Sequence, residues 1–268
     1  MNPGIWGLKR FLILKNNIDI YFFSGTGNTL LVAGKISEKL SSAGYKVKLL
    51  PIEKTNPSEV NVGNTIGLAF PVAVQSTYPF VWDFIENLPE GNGTEIFMFD
   101  TLAAFSGGIV GALKTFLLKK KYIPVGAKEI KMPSNFLTVS GNSGKNRKKV
   151  AKGLQAAEKY AGELINGTAS WGRIPVLCKV LFLLGTSKSV WKSLSEKTGM
   201  SVSEDKCIKC GLCARLCPVN NIEMKEYPVF SKKCQLCMRC ISFCPSKAIL
   251  KCGREVKSYR AVEAPALI

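Results

Sequence analysis

Eight cysteines fall into two runs of one spacing, Cys207-x2-Cys210-x2-Cys213-x3-Cys217-Pro218 and Cys234-x2-Cys237-x2-Cys240-x3-Cys244-Pro245. No other feature restricts the chain as tightly. Two-residue gaps let one tight loop present three thiolates to three corners of a cubane iron–sulfur cluster, and the fourth thiolate must come from elsewhere. Gly211 and its small neighbours let backbone N–H groups approach the sulfurs. Pro218 and Pro245 fix φ where each loop exits. The runs repeat at an offset of 27 positions, and Ile222 and Ile249 repeat with them, which suggests two pseudo-symmetric halves. Structural zinc favours four ligands in two pairs rather than two triplets each trailed by Cys-Pro. Disulfides belong to secreted chains, and nothing marks this one as secreted. Cys178 and Cys252 lie outside the pattern and read as small buried apolar residues.

A chain of 268 residues holds one large or two modest domains. It has no histidine, which removes imidazole acid–base chemistry, His–Asp triads, Rieske ligation and HExxH zinc sites. The formal charge is +18. Bound clusters and a bound phosphate, at about −2 each, leave it basic. A stretch from Lys114 to Lys152 carries Lys119, Lys120, Lys121, Lys145, Arg147, Lys148 and Lys149 against one acid, Glu129. It reads either as a solvated face or as a landing patch for an acidic partner. No nucleic-acid module accompanies it. Charged residues interrupt the apolar Met1–Lys15, no cleavage site follows, and Leu177–Leu184 is too short to span a bilayer. A cytoplasmic protein without a membrane span is expected.

Ile18–Phe23 reads as a buried strand running into Ser24-Gly25-Thr26-Gly27-Asn28-Thr29. A helix with Val32, Ile36 and Leu40 on one face follows and ends at Gly44. Strand, Gly/Thr-rich turn and helix form a phosphate cradle, in which the hydroxyls of Ser24, Thr26 and Thr29 and the first helical N–H groups donate to the anion. No lysine follows the loop, so it is not a nucleoside-triphosphate site, and the spacing fails the dinucleotide pattern. Further strands are expected at Lys46–Leu50, Thr65–Phe70, Glu95–Phe99 and about Ala127–Met132. Helices are expected near Pro79–Asn87, Gly108–Lys121 and Lys148–Leu164, with Trp171–Met200 a largely helical connector. Alternating strands and helices predict a doubly wound parallel sheet whose ligand lies beyond the strand C-termini, here 24–29, 70–79 and 101–108.

Residues 18 to about 135 resemble a flavodoxin, through the Ser24–Thr29 loop, Phe70-Pro71, Gly107-Gly108 and Met132-Pro133-Ser134-Asn135-Phe136. The cysteine runs resemble those of bacterial two-cluster ferredoxins. Together they are similar to the flavodoxin–ferredoxin fusion proteins of anaerobic bacteria and archaea. The resemblance implies a five-stranded sheet of order 2-1-3-4-5 and a small α+β ferredoxin domain. It implies an FMN domain over 17–165, a connector over 166–200 and a two-[4Fe–4S] domain over 201–268. FMN phosphate would lie on Ser24, Gly25, Thr26, Gly27, Asn28 and Thr29. The flavin ring would lie near Pro71, Tyr78, Thr101, Phe105, Gly107 and Gly108. In two-cluster ferredoxins the last cysteine of each run serves the other cluster. Carried over, Cys207, Cys210, Cys213 and Cys244 hold one cluster, and Cys234, Cys237, Cys240 and Cys217 the other. The implied function is an oxidoreductase-type electron carrier that passes electrons between FMN, two clusters and an external redox partner. A flavin-dependent reductase of a small organic substrate and a redox sensor or docking protein are the alternatives. Asp100 is the only carboxylate near the flavin loops and reads as a structural strand-end residue.

Overall fold

The computed structural model describes residues 14–104, 108–135, 143–172 and 187–267. Five strands, β1 (Asn17–Phe22), β2 (Lys46–Pro51), β3 (Thr65–Pro71), β4 (Glu95–Leu102) and β5 (Ile123–Lys131), form one parallel sheet of order 2-1-3-4-5. This is the flavodoxin-like topology. The inner strands β1, β3 and β4 are apolar on both faces because helices cover both. Helices α1 (Asn28–Ser42) and α4 (Gly144–Ile165) enclose Ile18, Ile20, Phe97 and Phe99 on one side. Helices α2 (Pro79–Glu86) and α3 (Ile109–Lys119) enclose Ile66, Leu68, Ile96 and Met98 on the other.

Three expected boundaries move. Strand β5 begins at Ile123 rather than near Ala127, because β5 is an edge strand and an edge tolerates Pro124 beside a register shift at Ile96/Phe97. Helix α4 begins at Gly144 rather than Lys148, since Ser143 Oγ accepts from Asn146 N at 3.3 Å and caps the turn. In the connector, Trp171 and Gly172 are not helical, and helix α5 spans Lys188–Thr198. Residues 173–186, with Cys178, lie outside the described residues.

The cysteine-rich half is small and pseudo-symmetric. Strand β6 (Met200–Val202) pairs antiparallel with β9 (Ile249–Lys251), and β7 (Ile222–Met224) with β8 (Pro228–Phe230). Short helices α6 (Leu212–Arg215) and α7 (Arg239–Phe243) each carry the third cysteine of a run, Cys213 and Cys240. The repeat is written into the backbone: left-handed φ occurs at Lys209 and Leu236, Gly211 and Met238, and Asn220 and Lys247, each pair 27 apart. Cys252 departs from expectation. It is exposed, on a left-handed turn (φ 51), and its thiol donates to the Thr198 carbonyl at 3.1 Å.

The chain then returns to the sheet half. Leu267 and Val262 pack with Leu30 of α1, Leu216 and Phe243, so one apolar cluster joins both halves. In mid-sheet, a Cβ on Gly67 would stand 2.7 Å from the buried Phe97 ring. Gly67→Val is therefore expected to destabilise the fold by about 1–3 kcal/mol through overpacking, read as a lower denaturant midpoint at unchanged slope.

Candidate functional site

The loop from β1 into α1 is held by its own polar side chains. Ser24 Oγ accepts from Gly27 N and Leu30 N, each at 3.2 Å. Thr29 Oγ1 lies 2.8 Å from Thr101 Oγ1, which links the loop to β4. Asn28 Nδ2 donates to the Pro133 carbonyl at 2.9 Å, and Asn28 Oδ1 accepts from Tyr259 at 2.8 Å. Gly27 supplies the φ of 102° that turns the chain into the helix. Helix α1 has no side-chain cap and no acid in its first turn, as an anion site requires. Thr26 Oγ1 is buried with no hydrogen-bond partner among the described residues. A buried hydroxyl without a partner is costly unless a ligand satisfies it.

Beside this loop lies a cavity of about 490 Å³, within the range of small-molecule and cofactor sites. Its walls come from the 24–29 loop, the 71–75 turn, Thr101–Ala104 and Met132–Asn135, all at strand C-termini. Val74 and Gln75 are both left-handed there (φ 50 and 62), in a turn closed by two Ala73–Ser76 backbone hydrogen bonds of 2.9 Å. Such strain in a β-branched residue is typical of ligand clamps. Tyr78 lines the wall, packed against Phe23 and Trp191 at 5.3 and 5.6 Å between ring centroids. Burial pushes its phenol far above the ordinary range.

Of the residues expected at this site, Ser24, Gly25, Thr26, Asn28, Thr29, Pro71, Tyr78 and Thr101 line the cavity. Gly27 turns away under Val262, and Gly108 starts α3 instead of reaching the cavity. Phe105 and Gly107 lie outside the described residues. Four wall residues went unanticipated: Trp191 and Leu194 from α5, and Gln235 and Leu236 from between two cysteines. No local motif marks them, because they reach the cavity only when the second half packs onto the first.

The cysteines gather in the crossed sets. Cys207, Cys210, Cys213 and Cys244 line one small cavity, and Cys217, Cys234, Cys237 and Cys240 line another. Backbone N–H groups donate to sulfur at matching places: Asn221 N to Cys217 and Ala248 N to Cys244, both at 3.2 Å. Burial pushes the thiols of Cys213, Cys234 and Cys240 up, and Cys237 to about 12. Thiolates in such surroundings would need positive centres beside them, as a bound metal cluster would supply. Two sites differ in access, since Cys210 is exposed and its neighbour Ile208 is 63% exposed.

Comparison with known proteins fits this division. A 4Fe-4S binding domain family matches residues 200–223, and a second family of the same description matches 231–248. The chain thus joins a sheet of flavodoxin-like strand order to a segment that matches 4Fe-4S binding domains. A ferredoxin from Pyrobaculum islandicum is 32% identical over 63 residues, which are 22% of this chain and 59% of that protein's length. Among solved structures, reduced Megasphaera elsdenii flavodoxin is 24% identical, covering 53% of this chain and 98% of its own, with a TM-score of 0.39. A flavodoxin from Streptococcus pneumonia TIGR4 is 16% identical, covering 55% and 99%, with a TM-score of 0.42. Rubredoxin oxygen:oxidoreductase from Desulfovibrio gigas is 16% identical, covering 59% and 38%, with a TM-score of 0.38. Among the described residues, no helix is long and apolar enough to cross a membrane.

Asp100 does not line the cavity. Strand alternation puts it on the Met98 face, opposite Thr101. Both its oxygens are buried without a partner among the described residues, and burial, with Glu129 nearby, raises its pKa well above the carboxylate range. The folded state therefore keeps the proton after the unfolded chain has lost it, so this residue lowers stability as pH rises from about 4 toward the raised value. Asp100→Asn is expected to be more stable than the natural chain, by a margin that grows across that window in pH-dependent denaturation.

Proposed function

We propose that the chain is an electron-transfer iron–sulfur flavoprotein that binds FMN in the 490 Å³ cavity and two [4Fe–4S] clusters on the crossed cysteine sets. One observation carries the reading: the cavity behind the phosphate loop and the second cysteine run share a wall, Gln235 and Leu236. A two-electron and a one-electron centre would thus lie side by side in one chain. When bound, FMN supplies two-electron chemistry and each cluster one-electron chemistry.

The protein's own residues do the rest. Thr26 Oγ1, without a partner among the described residues, can donate to the phosphate. The hydroxyl-linked Thr29 and Thr101 hold the loop against β4. Tyr78, Trp191 and Leu236 give the cavity an apolar wall. The N–H groups of Asn221 and Ala248 neutralise charge on sulfur. The less enclosed set, beside Cys210 and Ile208, is the end that an external carrier reaches. The formal +18 favours an acidic redox protein as that carrier, attracted through long-range charge.

Anaerobic purification with iron, sulfide and flavin quantified tests the reading. About eight irons and one FMN per chain are expected, and colourless or zinc-loaded protein would refute it. Thr26→Val should weaken FMN binding about tenfold or more, the loss of one hydrogen bond to a charged group, yet raise the melting temperature of flavin-free protein, since the unpartnered buried hydroxyl is gone. Cys217→Ser should deplete the cluster served by Cys234, Cys237 and Cys240, and leave the EPR signal of the other.

A further inference from the structure

We infer that the second cysteine run is itself part of the flavin site, so that assembly of its cluster and binding of FMN reinforce each other while the first run stands apart. The inference rests on the cofactor reading above. Gln235 and Leu236, between Cys234 and Cys237, line the FMN cavity, and no residue from 207 to 213 does. The second run also touches the phosphate loop directly. A Cβ on Gly25 would stand 2.7 Å from the Cys237 carbonyl oxygen, so the two loops meet backbone to backbone. Gln235 Oε1 accepts from Phe80 N at 3.1 Å, fixing the cysteine loop to the start of α2.

Arg239 ties these parts together. It stands between Cys237 and Cys240 and is 2% exposed. Its Nε donates to the Ser24 carbonyl of the phosphate loop at 2.9 Å. One terminal nitrogen donates to the carbonyl of Leu216, next to Cys217, at 3.3 Å. The other pairs with buried Glu53 at 2.5 Å. The guanidinium lies over Phe23, 4.7 Å from the ring centroid. One cation thus holds the phosphate loop, the cysteine lent by the first run and the helix of the second run.

The duplication breaks where this contact occurs. At the 27-residue offset, Gln235, Leu236 and Arg239 correspond to Ile208, Lys209 and Leu212. Ile208 and Lys209 face outward on the first run. The second copy carries the residues that the sheet half needs, and the first copy does not.

Without its cluster, the second run loses the scaffold that holds Gln235 and Leu236 against the cavity. With FMN in place, the same wall is held from the other side. Coupling between binding events is reciprocal, so each must favour the other by the same factor. Arg239 is a positioning residue in this scheme.

Two measurements on anaerobic full-length protein test this. In the natural chain, removal of iron by a chelator should be biphasic, and FMN should slow one half of it by about fivefold or more. In FMN titrations, Cys237→Ala should weaken affinity by about tenfold and Cys210→Ala by less than about threefold. Arg239→Leu should weaken FMN binding and second-cluster retention together, and Arg239→Lys should restore part of both. Chelation indifferent to FMN, or equal FMN affinities in the two cysteine variants, would overturn the coupling while the cofactor reading stands. Absence of saturable FMN binding in the natural chain would overturn both.

Discussion

A buried cation, Arg239, sits where the phosphate loop, the first cysteine run and the turn after β2 meet. Its three donor groups reach the Ser24 and Leu216 carbonyls and the Glu53 carboxylate, which belong to the phosphate loop, the first cysteine run and the turn after β2. A buried guanidinium is tolerable only when its charge and its N–H groups are matched. Planar donors on a stiff fork suit this arrangement, which a lysine could reproduce only in part. The two halves are therefore docked by a polar, geometry-demanding contact in addition to the apolar cluster of Leu30, Leu216, Phe243 and Leu267.

Around that contact the halves differ in how they are stabilised. The sheet half buries a continuous apolar core on both faces and meets the ordinary requirements of a doubly wound fold. The cysteine half has short strands and few buried apolar residues, among them Met238, Ile241 and Ile249. A segment so small would draw much of its stability from the proposed metal ligation. Burial holds the Cys237 thiol neutral in the protein alone, so the proposed cluster would have to displace its proton on binding.

Legibility in the primary structure followed the range of the interactions. The alternation of strands and helices, the strand–loop–helix at Ser24–Thr29 and the duplicated spacing depend on periodicities within a few residues and were visible, whereas the sheet order came through the flavodoxin resemblance. Boundaries failed where a local rule met an exception, as at Pro124 on an edge strand and Ser143 as a helix cap. Gly27 and Gly108, expected near a ligand, form the turn into α1 and the start of α3 and are not among the cavity walls. Trp191, Leu194, Gln235 and Leu236 carry no motif, and a tryptophan on a connector helix reads as packing. They are wall residues only because distant segments meet.

Residue order alone determined the chemistry available: thiolates at cluster spacing, a phosphate-ready loop, no imidazole and an excess of positive charge. Spacing along a chain sets which donors one loop can present, and no later packing changes that. Tertiary structure alone decided which of two near-identical cysteine runs faces the nucleotide cavity. Spacing treats the copies as equals, whereas a buried Arg239–Glu53 pair and the Gly25–Cys237 backbone contact can be satisfied by only one of them.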